Sequence, residues 1–75
     1  MIHRGDKMLD TKQYPVQVRA NARLVDAGRK TVLDCPELQQ VEICIVLIAE
    51  YNWLLEDIPE TLKEEVSKEL GLIQQ

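Results

Sequence analysis

The sequence predicts an α+β fold of order β-β-α-α: an N-terminal β-hairpin packed on a long apolar helix and a second, short amphipathic helix. Three observations carry that expectation. Residues 16–24 alternate apolar with polar. A Gly-containing turn, Asp26-Ala27-Gly28, follows them. The pattern Asp-x-Pro-Glu occurs twice, as "DCPE" at 34–37 and "DIPE" at 57–60, each time just ahead of an apolar stretch.

In chain order, residues 1–13, "MIHRGDKMLDTKQ", show no hydrophobic period and read as a flexible tail, leaving 14–75 as a single small domain. The tail carries His3 and the tripeptide Arg4-Gly5-Asp6, too short a match to assign a receptor. From Val16, the apolar residues Val16, Val18, Ala20, Ala22 and Leu24 alternate with Gln17, Arg19, Asn21 and Arg23. Strict period two marks a half-buried strand. A helix from Pro15 to Gly28 is the rival, but it would set Val16, Ala20 and Leu24 opposite Val18, Ala22 and Val25, with neither face clean. Gly28 then takes the left-handed position of a three-residue hairpin loop. Residues 29–33 return as the second strand.

The repeated tetrapeptide reads as helix punctuation. Asp34 and Asp57 are placed as N-caps accepting first-turn N–H groups. Glu37 and Glu60 reach back in a capping-box exchange. Pro36 and Pro59 sit in the first turn, where a missing N–H is harmless. The first helix is expected from Cys35 to Glu56, roughly 33 Å long, although "VEICIVLI" at 41–48 also suits a buried strand. The second is expected from Ile58 to Leu70, with an Ile58/Leu62/Val66/Leu70 stripe at i, i+4 spacing and Gly71 as its stop.

Composition narrows the function. The chain has 75 residues, and a domain of that size buries only about 60% of the surface its unfolded chain exposes. Disulfide, metal or oligomer formation often supplies the missing stability. On one helix, Cys35 and Cys44 would stand roughly 13 Å apart along the axis, beyond disulfide reach. No Cys/His group has metal-ligand spacing, so no cofactor is expected. Oligomerisation, in the first place a homodimer, is the remaining route. Free thiols fit a reducing, cytoplasmic location. No secretory signal is visible, and the apolar stretch 41–55 is too short and too charged to cross a bilayer.

The net charge of −4 hides an asymmetry: residues 1–33 hold seven Lys/Arg and three Asp/Glu, and residues 34–75 hold two Lys and ten Asp/Glu. Such a division marks a partner-facing surface, unless the basic half simply lies on the acidic half. Catalysis has no support. His3 lacks a structured partner, and no Gly-rich phosphate loop or nucleophile–base constellation is present. Cys35 would sit at a helix N-terminus, where thiol pKa falls, but Asp34 beside it opposes a thiolate.

The expected function is a non-enzymatic protein–protein interaction module, a small regulator, adaptor or inhibitor that self-associates. Its partner surface is assigned to Leu38, Ile45, Val46, Ala49 and Trp53, on the second side of the first helix, together with the acidic Glu60, Glu64 and Glu65. Trp and Tyr are the residue types that anchor interfaces. The alternative is a dimeric nucleic-acid-binding regulator. There the hairpin presents Arg19, Asn21, Arg23, Arg29 and Lys30, since a two-stranded ribbon fits the major groove. That arrangement resembles β-ribbon DNA readers that dimerise through helices, such as ribbon-helix-helix repressors. It departs from them in an over-long, over-apolar first helix and an intervening second strand, so no membership follows. A third reading takes the carboxylates of 50–69 as a nucleic-acid mimic that inhibits a nucleic-acid-binding protein.

Overall fold

The computed structural model describes residues 13–74; His3 and Arg4-Gly5-Asp6 lie outside the described residues. It overturns the expected hairpin. Among the described residues there are three α-helices and no strand: α1 (Val16–Asp26), α2 (Gln40–Glu50) and α3 (Glu60–Gln74).

The segment expected to be the first strand is α1. Its apolar alternation resolves into two opposite sides of one helix. Val18, Ala22 and Val25, at i, i+4, i+7, are buried, while Val16 is 77% exposed and Leu24 39%. A clean polar face is not required of a helix that has one complete core stripe. Ala and Arg, each present twice here, are also among the best helix formers. Pro15 opens α1, and its carbonyl accepts from the N–H groups of Val18 (3.0 Å) and Arg19 (3.3 Å).

Gly28 does adopt a left-handed φ of +79°, as expected, but it ends a helix rather than turning a hairpin. The Arg29 N–H donates to the Leu24 carbonyl (2.9 Å) and the Gly28 N–H to that of Val25 (3.0 Å). This is the paired exchange of a Schellman motif. The expected second strand, 29–33, is instead a bend at 29–30, an extended Thr31 and the first two residues of a 3₁₀ turn, Val32–Asp34.

The expected 35–56 helix is interrupted at both ends. A 3₁₀ turn at Glu37–Gln39 precedes α2, and Asn52 stops it with φ +61°. Asn is one of the few non-Gly residues that visit this region. A further 3₁₀ turn, Leu55–Asp57, leads to α3. That helix begins at Glu60, not Ile58, and runs through Gly71.

Asp34 and Asp57 act backwards rather than forwards. Asp34 Oδ2 accepts from the Thr31 N–H (3.2 Å) and Asp57 Oδ2 from the Leu54 N–H (2.9 Å). Each aspartate therefore closes the 3₁₀ turn before its proline instead of capping the helix after it. Nor does Glu60 reach back to a cap; its carboxylate pairs with Lys63 at 3.2 Å. The residues between Asp and Pro, Cys35 and Ile58, are both buried. Each Asp-x-Pro thus holds a turn closed while x drops into the core.

The central helix is α2, packed by both α1 and α3. Ile43, Cys44, Ile45, Val46 and Leu47 are all at most 1% exposed. Five consecutive buried residues mean burial on every side, which explains why a β-branched run forms a helix here: packing outweighs a small propensity deficit. From α3, Val66 is fully buried, with Leu62 and Leu70 partly buried against the core.

One buried polar side chain, Gln40, ties this arrangement together. Its Nε2 donates to the carbonyls of Cys35 (3.0 Å) and Leu33 (3.4 Å). Gln40→Leu removes both donors and strands the Cys35 carbonyl. Urea unfolding is expected to show a loss of about 1–3 kcal/mol; a neutral result would mean that water replaces the amide.

Candidate functional site

Three separate chain segments converge on an open groove of ≈ 650 Å³. Tyr14, just before α1, forms one wall. Val41 and Ile45 from α2 and Leu62 from α3 supply the apolar floor. Glu37 and Glu42 rim one side, and Glu65 and Glu69 the other, with Leu38 at the edge. Leu38 is 95% exposed, the most exposed large apolar residue described. Among the described residues, no Lys or Arg lines the groove.

The spacing of α3 explains its share of the rim. Leu62, Val66 and Leu70 face inward, so Glu65 and Glu69, one turn apart, project beside that stripe. The local field is negative. The Tyr14 phenol is pushed above its ordinary pKa, first by burial and then by the carboxylates of Glu42 and Glu69.

The residues expected to meet a partner are divided. Leu38 and Glu65 belong to the groove. Ile45 and Val46 are core, each 1% exposed; only Ile45 touches the groove, as part of its floor. Ala49 is half-buried, while Glu60 and Glu64 are exposed on α3. Trp53 is half-buried against the core, and its indole N–H donates to Asp26 Oδ1 at 3.0 Å. Its polar edge thus fastens the link after α2 to the end of α1.

The basic set no longer shares a strand face. Arg19 and Arg23 are exposed one turn apart on α1. Asn21 and Lys30 belong to a polar strip: Lys30 Nζ donates to Asn21 Oδ1 (3.1 Å), and Asn21 Nδ2 donates to Gln39 Oε1 (3.1 Å). Arg29 lines a second cleft of ≈ 540 Å³ with Lys30, Trp53, Asp34 and Asp57. There the two aspartates already accept backbone N–H groups. Lys63 and Glu60 form an ion pair within α3.

The cysteines do not share a helix as expected. Cys35 lies ahead of α2 and Cys44 within it, and both are buried, free thiols. Cys35 Sγ–H donates to the Thr31 carbonyl at 3.5 Å. Burial, and secondarily a Cys35 thiolate, would push Cys44 up to about 12. Cys35 is likewise raised, chiefly by burial, which is the reverse of an activated nucleophile.

Among the described residues, no three His, Cys, Asp or Glu side chains gather as a metal-holding group, and no helix is long and apolar enough to cross a membrane. No protein-family model, curated protein or solved structure matches the chain. What fold and site define, over the described residues, is a small helical unit of three α-helices with an acid-rimmed apolar groove.

Proposed function

We propose that this chain is a non-enzymatic protein–protein interaction module, a small regulator, adaptor or inhibitor, whose docking site is the groove between Tyr14, α2 and α3. The observation that carries this reading is the pairing of an apolar floor with four glutamates and, among the described residues, no cation. An amphipathic helix lays its apolar face into such a groove. The partner that fits is a helix carrying Lys or Arg beside its apolar anchors, because complementary charge fixes register and speeds encounter. Buried free thiols at Cys35 and Cys44 suit a reducing compartment, so a cytoplasmic setting goes with this proposal.

The test is selection from a random helical peptide library displayed on phage. Enriched peptides are expected to carry Lys or Arg flanking Leu, Ile or Val. They should bind a Glu65→Lys/Glu69→Lys variant at least about tenfold more weakly, with wild-type binding falling as salt rises. Peptides lacking positive charge, or equal binding to both proteins, would remove the groove from the assignment.

A further inference from the structure

The groove has a complement on the chain's own surface. The outer side of α1, opposite its buried Val18/Ala22/Val25 stripe, presents Val16, Arg19, Ala20 and Arg23, all exposed. Val16 at 77% exposure is second only to Leu38 among the exposed large apolar residues described. Small apolar side chains thus run along a ridge edged by two guanidinium groups. Among the described residues, neither arginine pairs with a carboxylate. The Asp26 carboxylate, nearest along the helix, accepts from the Trp53 indole.

Ridge and groove match in kind. The ridge has an apolar crest and one positive edge; the groove has an apolar floor and negative rims. They do not meet within one molecule, because α1 packs its opposite side on α2. We infer that the groove of one copy receives the outer ridge of α1 from a second copy, so that the chain self-associates through Arg19 and Arg23 against Glu65 and Glu69. This rests on the groove being a docking surface and names its occupant. A single ridge of about three helical turns is a small contact, well inside the transient class of interfaces. Association is therefore concentration-dependent and salt-sensitive, with Lys/Arg-bearing foreign helices competing for the same groove.

A charge swap tests it by sedimentation at low salt on the full chain, with circular dichroism confirming that each variant is folded. Wild-type protein is expected to associate as concentration rises and to dissociate at high salt. Arg19→Glu/Arg23→Glu sets an acidic ridge against an acidic groove; Glu65→Lys/Glu69→Lys sets a basic ridge against a groove whose α3 rim is basic. Each alone should associate roughly a hundredfold more weakly, and an equimolar mixture should associate again, because both cross-contacts are complementary. A monomeric wild type at millimolar concentration, association indifferent to both reversals, or a folded mixture that stays monomeric would each overturn the inference. If selected basic peptides still distinguish wild type from Glu65→Lys/Glu69→Lys under those outcomes, only the occupant is wrong. If they do not, the groove itself fails as a docking site.

Discussion

Leu47→Ala is expected to cost about 2–5 kcal/mol in urea or thermal unfolding. Leu47 is fully buried on α2, and α2 is the helix against which both others pack. Truncation removes the transfer energy of its buried methyl groups and leaves a cavity that a helix fixed on all sides collapses into poorly. At about 0.05–0.15 kcal/mol per residue, a chain this short has only about 4–11 kcal/mol in total, so the variant should be partly unfolded at moderate temperature. Ile43→Val, at another fully buried site, should cost about 0.5–1.5 kcal/mol. Leu38→Ala is the contrasting case. Its side chain is 95% exposed, so stability should move by no more than about 0.5 kcal/mol, while docking at the groove edge weakens. A Leu47→Ala protein within 1 kcal/mol of wild type would show that α2 is not the core helix.

The contrast between Leu47 and Leu38 also shows what the sequence could not reveal. Both lie in the stretch expected to form one 35–56 helix. A wheel spanning that whole stretch assumed a continuous phase. The 3₁₀ turn at Glu37–Gln39 and the single left-handed residue Asn52 break that phase, and neither changes the hydrophobic pattern. Punctuation was legible: Pro15, Gly28, Pro36 and Pro59 all lie at element boundaries, and Gly28 has the backbone sign assigned to it. The element between Pro15 and Gly28 was not. Val16, Val18, Ala20, Ala22 and Leu24 satisfy period two. They also satisfy a helix, provided only one of the two sets is buried, and tertiary packing alone decides that. Of the groove, Leu38, Ile45 and Glu65 were legible as partner-facing residues. Tyr14, Glu37, Glu42 and Glu69 were missed because the site is assembled from three segments, whereas a periodicity argument treats one segment at a time. The spacing of Glu65 and Glu69 along the edge of the Leu62/Val66/Leu70 stripe was the one signal that could have found half of it.

Alkaline solution should destabilise the protein through Cys44, and the sign follows from its surroundings. The thiol is fully buried, and burial pushes it from 9.0 up to about 12 in the folded chain. In the unfolded chain it ionises near 9. Below that value both states hold the proton and pH has no effect through this group. Above it, the unfolded state releases a proton that the folded state retains, so stability falls as pH rises. The loss is about 1.4 kcal/mol per pH unit, reaching about 2.7 kcal/mol at pH 11. Cys44→Ala removes the titrating group. Its stability relative to wild type should be level from pH 6 to 8, then improve by that amount by pH 11. Tyr14 and Cys35 are raised as well, but both proteins retain them, so their contributions largely cancel in the difference. Urea unfolding of the two proteins across this range checks the expectation. Parallel curves up to pH 11 would mean that the Cys44 thiol meets water in the folded state. The packing of α2 against its neighbours, which sets the floor of the groove at Val41 and Ile45, would then be looser than the buried thiol requires.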